Sequence, residues 1–221
     1  MAITKTGRIT VSTTYNVDGT EQERDGVRKR RELGPIGGIV AFAVLVVGAR
    51  TVALLLRSTR LGPISSVVVN MTGIAELVIL PLAYLFNPHI FSREFWHLGR
   101  NTWNWLLGLA LLIAIGLIFR RSHTPWPIQD AVGAVFLGSP LEEIVRAILI
   151  LPVLRSWGKP WAIIIAVLAT SIVHPDPLAA FIPQLFLTLM FVNTGNSILS
   201  SSIGHALLNV AVVLSAGITF M

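Results

Sequence analysis

The stretch 138-GSPLEEIVRA-147 places three ionisable side chains, Glu142, Glu143 and Arg146, within five residues of a segment whose flanks are apolar. A charge at the middle of a helix in lipid costs about 2.5–3.5 kcal/mol when unpaired, so the cluster must face protein or water. On a helix Glu142 stands four residues and Glu143 three residues before Arg146, and both spacings permit an ion pair. One carboxylate can be held by the guanidinium while the other stays available. Ser139, Pro140 and Glu142 also fit an N-cap, a first-turn proline and a capping-box glutamate, which predicts a helix starting after a break at Gly138. The two readings are compatible, because a helix that begins inside a membrane opens a cavity in which a reactive carboxylate can sit.

The flanks set the fold class. Of 221 residues 53% are hydrophobic and 13% charged, with mean hydropathy +0.73, too few polar groups to cover a water-facing surface. The chain reads as an integral membrane protein. Apolar segments recur at about 36–57, 64–86, 102–119, 129–153, 158–174, 178–193 and 196–220, each near the 20 residues a helix needs to cross roughly 30 Å of hydrocarbon. Backbone groups in lipid must be satisfied within the segment, and no stretch alternates as a barrel strand does. The expected fold is therefore all-α, a polytopic transmembrane helical bundle of about seven spans. Cysteine is absent, which excludes disulfides and thiolate metal sites.

The net charge is +6, and seven of the 17 basic residues lie in the first 34. Residues 1–34 lack an apolar run and read as a disordered, basic cytoplasmic tail with 28-RKRR-31 beside the first span. Arg24, Arg28, Lys29, Arg30, Arg31, Arg93, Arg100, Arg155 and Lys159 fall on one side of the expected bundle; Arg57, Arg60, Arg120 and Arg121 fall on the other. Positive residues near spans stay cytoplasmic, so the N-terminus is expected inside a multi-pass protein of the cell membrane. Its basic face meets anionic lipid, and nucleic acid is not an expected partner.

Polar residues inside the spans carry the chemistry. In 194-TGNSILSSSIGHALLNVAVVLSAG-217, Ser197, Ser201, His205 and Asn209 recur every four positions and form a stripe that drifts only about 40° per step. The preceding segment 160-PWAIIIAVLATSIVHPDP-177 closes at His174, where Pro175 and Pro177 prevent continuation and leave backbone carbonyls near the imidazole. The C-terminal half thus supplies a carboxylate pair, a histidine at a helix end and a His/Asn face. Stripes of this kind also simply glue helices together. Elsewhere Arg50 and Glu76 read as a neutralising pair, Asp130 as a helix-start charge, Asn70 and Asn193 as packing groups. Trp96, Trp103, Trp105, Trp126, Trp157 and Trp161 read as interfacial anchors.

These motifs, 142-EEIVR-146, the helix-closing His174 and 205-HALLN-209, resemble the CAAX-protease and bacteriocin-processing (Abi-like) family of intramembrane proteases over roughly residues 129–215. The family pattern is EExxxR, a His closing the next helix, often as FxxxH, then HxxxN or HxxxD. Two departures stand out: one residue is missing between the pair and Arg146, and Thr170 stands where the family often has Phe. A one-residue change rotates a helical side chain by about 100°. Either Arg146 is the anchor, Glu142 taking the Arg-held place and Leu141 the first, or the pair is the anchor and Arg146 reaches around the helix; a local bulge could restore register.

The resemblance implies a division into the tail, N-terminal transmembrane helices over 35–128 and a catalytic four-helix core over 129–221. It implies an intramembrane endopeptidase in which a glutamate and His174 activate water and His205 and Asn209 stabilise the oxyanion, with Glu142, Glu143, Arg146, His174, His205 and Asn209 as site residues. No cofactor is required by that scheme; the alternative is zinc held by Glu142 or Glu143 with His174 and His205. The expected partners are the bilayer and a peptide or protein substrate at the membrane, with prenylated CaaX proteins and bacteriocin leaders both permitted. An inactive member acting as a binding or immunity protein, and a proton-coupled transporter, remain as other readings. Other protease chemistries lack support: there is no HExxH, Asp18, Asp25, Asp130 and Asp176 form no GxGD, and Gly195-Asn196-Ser197-Ile198 lacks a rhomboid serine motif.

Overall fold

Apolar segments bounded by proline, glycine and short polar turns become helices in a computed structural model of the chain, which describes residues 33–58, 79–118, 126–174 and 176–219. In chain order these are α1 (Pro35–Ser58), α2 (Ile79–Phe86), a 3-10 turn (Pro88–Phe91) and α3 (Thr102–Ile118). Then come α4 (Ile128–Gly133), a π turn (Ala134–Gly138), α5 (Ser139–Trp157), α6 (Lys159–Ile172), α7 (Pro177–Asn193) and α8 (Ile198–Ala216). Extended structure among the described residues is a two-residue parallel pairing, β1 (Trp126–Pro127) with β2 (Ile218–Thr219), Trp126 opposite Ile218. The basic tail, Asn70, Glu76 and the first part of the second apolar segment lie outside the described residues, as do the side chains of Arg50, Trp126 and Asp130.

The expected helix start at Gly138 is corrected by the structure. Gly138 (φ −59°, ψ −48°) and Ser139 (φ −56°, ψ −52°) are both helical, so α4, the π turn and α5 run on as one helix. Ser139 caps nothing: its backbone N–H and its hydroxyl both donate back to the Ala134 carbonyl, the hydroxyl at 3.0 Å. The extra residue of the π turn changes the direction of every side chain after it. This bulge precedes the glutamate pair and leaves the spacing from the pair to Arg146 untouched.

Helix α5 is the centre of the bundle. α1, α6 and α8 pack on it, α7 joins α6 to α8, and α3 leans on α7 and α8. Residues 143–153 of α5 are buried without interruption, the pattern of a helix surrounded by others. Charges on such a helix can meet only protein or an internal cavity. Gly38 permits the α1 contact: a Cβ there would lie 2.9 Å from Pro152 Cγ and 3.0 Å from the Ile148 carbonyl.

The outer faces expose large apolar side chains, among them Leu111, Leu168, Ile172, Leu178 and Leu214. By length and hydropathy one helix among the described residues, α8, suffices to cross a membrane; α3, α6, α7 and Pro35–Ala49 of α1 are shorter apolar stretches. The expected count of about seven is therefore not matched by that criterion, although helices occupy the described parts of all seven segments.

Residues 95–102 hold the start of α8 and thereby the register of its polar stripe. The Ile198 N–H donates to the Phe95 carbonyl (2.8 Å), the Ser197 hydroxyl to the His97 carbonyl, and the Gly99 N–H to Ser200 Oγ (2.9 Å). Ser200 Oγ also bonds Thr102 Oγ1 at 2.8 Å. The loop passes so near α7 that a Cβ on Gly99 would sit 1.9 Å from the Thr194 carbonyl oxygen. Of the tryptophans, Trp103, Trp157 and Trp161 are exposed, while Trp96 donates to the Ile90 carbonyl (2.9 Å) and Trp105 packs edge-on against Phe186. Asn193 joins helix ends, accepting from Lys159 Nζ at 2.6 Å.

Candidate active site

The two glutamates differ sharply in environment. Glu143 is fully buried, and its Oε1 accepts from Arg146 Nη2 at 3.2 Å and from His205 Nδ1 at 3.0 Å. Arg146, 1% exposed, makes that pair at the three-residue spacing. Glu142, 100° back around the helix, keeps 40% of its side chain exposed and directs Oε2 toward two imidazoles, 3.6 Å from His205 Nε2 and 3.9 Å from His174 Nε2. The pair therefore acts as the anchor and the guanidinium adapts, at the shorter of the two permitted spacings. His205 and Gln184 add hydrogen bonds to the same Glu143 Oε1 and Arg146 Nη2 that form the pair, while Glu143 Oε2 and Arg146 Nε and Nη1 are buried without a hydrogen-bond partner among the described residues.

Helix ends and hydrogen bonds determine which nitrogen of each histidine carries hydrogen. His174 follows the last turn of α6, and its Nδ1 lies 2.7 Å from the Thr170 carbonyl, an acceptor only. Nδ1 thus carries hydrogen, and in the neutral ring Nε2 holds the lone pair. Thr170, expected merely to pack, holds the imidazole through its carbonyl, while its hydroxyl donates to the Ala166 carbonyl at 2.7 Å. His205 Nδ1 likewise faces the ionised Glu143 and must carry hydrogen. Helix α7 starts cleanly beside His174 because Asp176 accepts from the Ala179 N–H (3.1 Å) and Pro177 occupies its first position.

Five of the expected site residues converge: Glu142, Glu143, Arg146, His174 and His205. Asn209 does not reach them. Its Nδ2 donates to the Ala134 carbonyl (2.9 Å) and to Ser139 Oγ (3.1 Å), so both of its hydrogens are taken up by the π turn. One further residue belongs to the cluster and was not picked out by the motifs. Gln184, 2% exposed in the middle of α7, accepts from Arg146 Nη2 through Oε1 and places Nε2 3.2 Å from His174 Nε2. The signal available in sequence was an amide within the apolar run 178-LAAFIPQLFL-187, where solvation cost demands a partner.

The donor set does not fit a metal ion. Among the described residues no group of three His, Cys, Asp or Glu side chains is arranged to hold one, and the ring nitrogen of His174 that would ligate already faces the Gln184 amide.

Comparison with known proteins agrees with the motif reading. No curated protein and no solved structure matches the chain. A family model described as type II CAAX prenyl endopeptidase Rce1-like matches residues 124–211, from just before β1 to the middle of α8, and thus covers every site residue named above. Over that span the chain is similar to the Rce1-like type II CAAX prenyl endopeptidases.

Proposed function

We propose that the chain is a multi-pass intramembrane endopeptidase that hydrolyses a peptide bond of a membrane-associated substrate with water activated by Glu142. The observation that carries this reading is the half-exposed Glu142 Oε2 facing the Nε2 atoms of both His174 and His205. Residues 129–221 form the catalytic core, and the helices of 35–128 buttress it. The 3.9 Å between Glu142 Oε2 and His174 Nε2 is too long for a direct hydrogen bond, which leaves this carboxylate oxygen free to accept from water.

Glu142 takes a proton from that water, the hydroxide oxygen bonds to the scissile carbonyl carbon, and the carbonyl oxygen becomes an oxyanion. His205 in its imidazolium form carries hydrogens on both nitrogens, one toward Glu143 and one toward the reacting centre, where a single donor is worth roughly 3 kcal/mol. The proton held by Glu142 then passes to the leaving nitrogen as the C–N bond breaks. Asn209 positions this donor by fastening α8 to the π turn. Glu143 and Arg146 orient His205 and do not touch the substrate.

The test is cleavage of a fluorescence-quenched farnesylated CaaX peptide by the purified protein in detergent. Wild type is expected to cleave it, and His205→Ala to lower the rate at least about 10²-fold with unchanged yield. A zinc chelator is expected to leave the wild-type rate intact. Undiminished cleavage by His205→Ala sinks the site assignment, chelator inhibition sinks the metal-free chemistry, and no cleavage by wild type moves the chain to the binding-protein reading.

The orientation follows from charge. Gly38 near the start of α1 meets Pro152 near the end of α5, so the start of α1 and Arg155 and Lys159 belong to one end. The glutamate pair lies toward the other. The positive-inside rule then puts the N-terminus in the cytoplasm and the site in the opposite leaflet. The absence of native cysteine allows single-cysteine labelling. A membrane-impermeant maleimide added to intact cells is expected to label Ser122→Cys and spare Ser156→Cys; the reverse pattern inverts the topology.

A further inference from the structure

Gln184 is the only group among the described residues that the structure places between the buried ion pair and His174. The guanidinium of Arg146 can only donate, so the atom of Gln184 that meets it must be the carbonyl oxygen. That choice leaves the amide nitrogen facing His174 Nε2, 3.2 Å away, as donor. The bond between Nδ1 and the Thr170 carbonyl, 2.7 Å long, places hydrogen on Nδ1 and, in the neutral ring, the lone pair on Nε2. Two independent constraints from different helices thus agree on one tautomer. The result is a continuous chain of bonds from Glu143 on α5 through Arg146, Gln184 on α7 and His174 to the backbone of α6.

We propose that Gln184 is a positioning residue of this site, held by Arg146 through its carbonyl and donating from its amide to His174 Nε2, so that the imidazole is fixed in orientation beside Glu142. The inference rests on the proposed hydrolytic function and adds the group that couples the Glu143–Arg146 pair to the water-binding face. An amide rotated by 180° would set two donors against Arg146 and an acceptor against a lone pair. The guanidinium therefore acts at a distance: it selects the rotamer that fixes the imidazole. The groups facing His174 are Glu142 from α5 at 3.9 Å, Gln184 from α7 and the Thr170 carbonyl of its own helix, while His205 of α8 faces the same Glu142 oxygen. Asp176, two residues on, is occupied by the Ala179 N–H.

The substitution that isolates this role is Gln184→Glu, which keeps an acceptor for Arg146 and removes the donor toward His174. Gln184→Leu removes both. Nitrogen-15 NMR of the imidazoles in the full-length protein, with His174→Asn to assign the signals, reads the tautomer directly and does not depend on activity. Wild type is expected to show His174 with hydrogen on Nδ1 and an unprotonated, hydrogen-bonded Nε2; in Gln184→Glu and Gln184→Leu the Nε2 signal leaves that position. Against the farnesylated peptide both variants are expected to lose about 10–100-fold in kcat with KM within about twofold, the penalty of a misaligned group.

Unchanged His174 signals in both variants overturn the inference, even if the variants are less stable, because a purely structural glutamine would lower the unfolding temperature and leave the tautomer alone. Shifted signals with kcat unaffected also overturn it, since His174 would then not need the bond. If wild type fails to cleave, the hydrolytic reading falls, and the NMR result still decides whether Gln184 sets the imidazole.

Discussion

Glu142→Gln is expected to lower kcat/KM for peptide cleavage by about 10³-fold, roughly 4 kcal/mol of transition-state stabilisation, with yield and thermal stability in detergent close to wild type. The substitution keeps shape and an acceptor oxygen but removes the ability to take a proton from water. Stability should not suffer, because Glu142 is 40% exposed and its oxygen is no nearer than 3.6 Å to either imidazole. Glu143→Gln should behave differently: it perturbs the bonds to Arg146 and His205 at the centre of the bundle, so its loss of activity comes with a lower unfolding temperature. Steady-state kinetics alongside a melting curve separates the two glutamates. Retained cleavage by Glu142→Gln would remove this carboxylate from the chemistry and shift the base to His174 or Glu143.

Arg146→Met carries the largest expected cost in stability, about 3–5 kcal/mol, because it leaves Glu143 as a fully buried carboxylate without its cationic partner, beside His205 and Ser201. It also frees the Gln184 carbonyl. The double substitution Glu143→Gln with Arg146→Met removes the charge as well as its partner and should recover at least about 1 kcal/mol of the loss, since a neutral pair of similar volume is tolerated far better than one orphaned ion. Thermal or denaturant unfolding of the four proteins forms the cycle that measures this coupling. A single substitution that leaves the melting curve in place would mean that Glu143 is solvated in the working protein, contrary to its burial.

Both results bear on the missing residue between the glutamate pair and Arg146. In the resembled family the guanidinium stands four residues after the glutamate it holds; here it stands three after Glu143. Spacings of three and four place a side chain on the same face of a helix, on either side of the reference direction. The long arginine absorbs the difference, and the pair keeps its orientation: Glu143 inward to His205, Glu142 toward the opening. The shortened motif is thus compatible with an assembled site.

Helix positions were legible in the sequence because the signals are local. The apolar runs are broken at Pro88, Gly158 and Gly195, where the chain turns, and α6 ends just before His174 as expected. That Glu142, Glu143, Arg146, His174 and His205 need partners was legible for an equally local reason: ionisable groups in apolar helices are too costly to be there without them. The same rule, applied to amides, would have reached Gln184.

Three matters were decided only by the tertiary structure. Ser139 has the letters of a cap, yet its hydroxyl turns back to Ala134 because Asn209, 70 residues later, donates to it and to that same carbonyl. Asn209 is thereby drawn away from the reacting centre. Which glutamate Arg146 holds was open at the level of one helix, where both spacings are permitted; Gln184 on α7 and His205 on α8 settle it by fixing the guanidinium from one side and Glu143 from the other. A single helix determines which side chains share a face. Which of them pair is decided by the neighbours that bury that face, since a buried polar atom must take whatever partner the adjacent helices bring within reach.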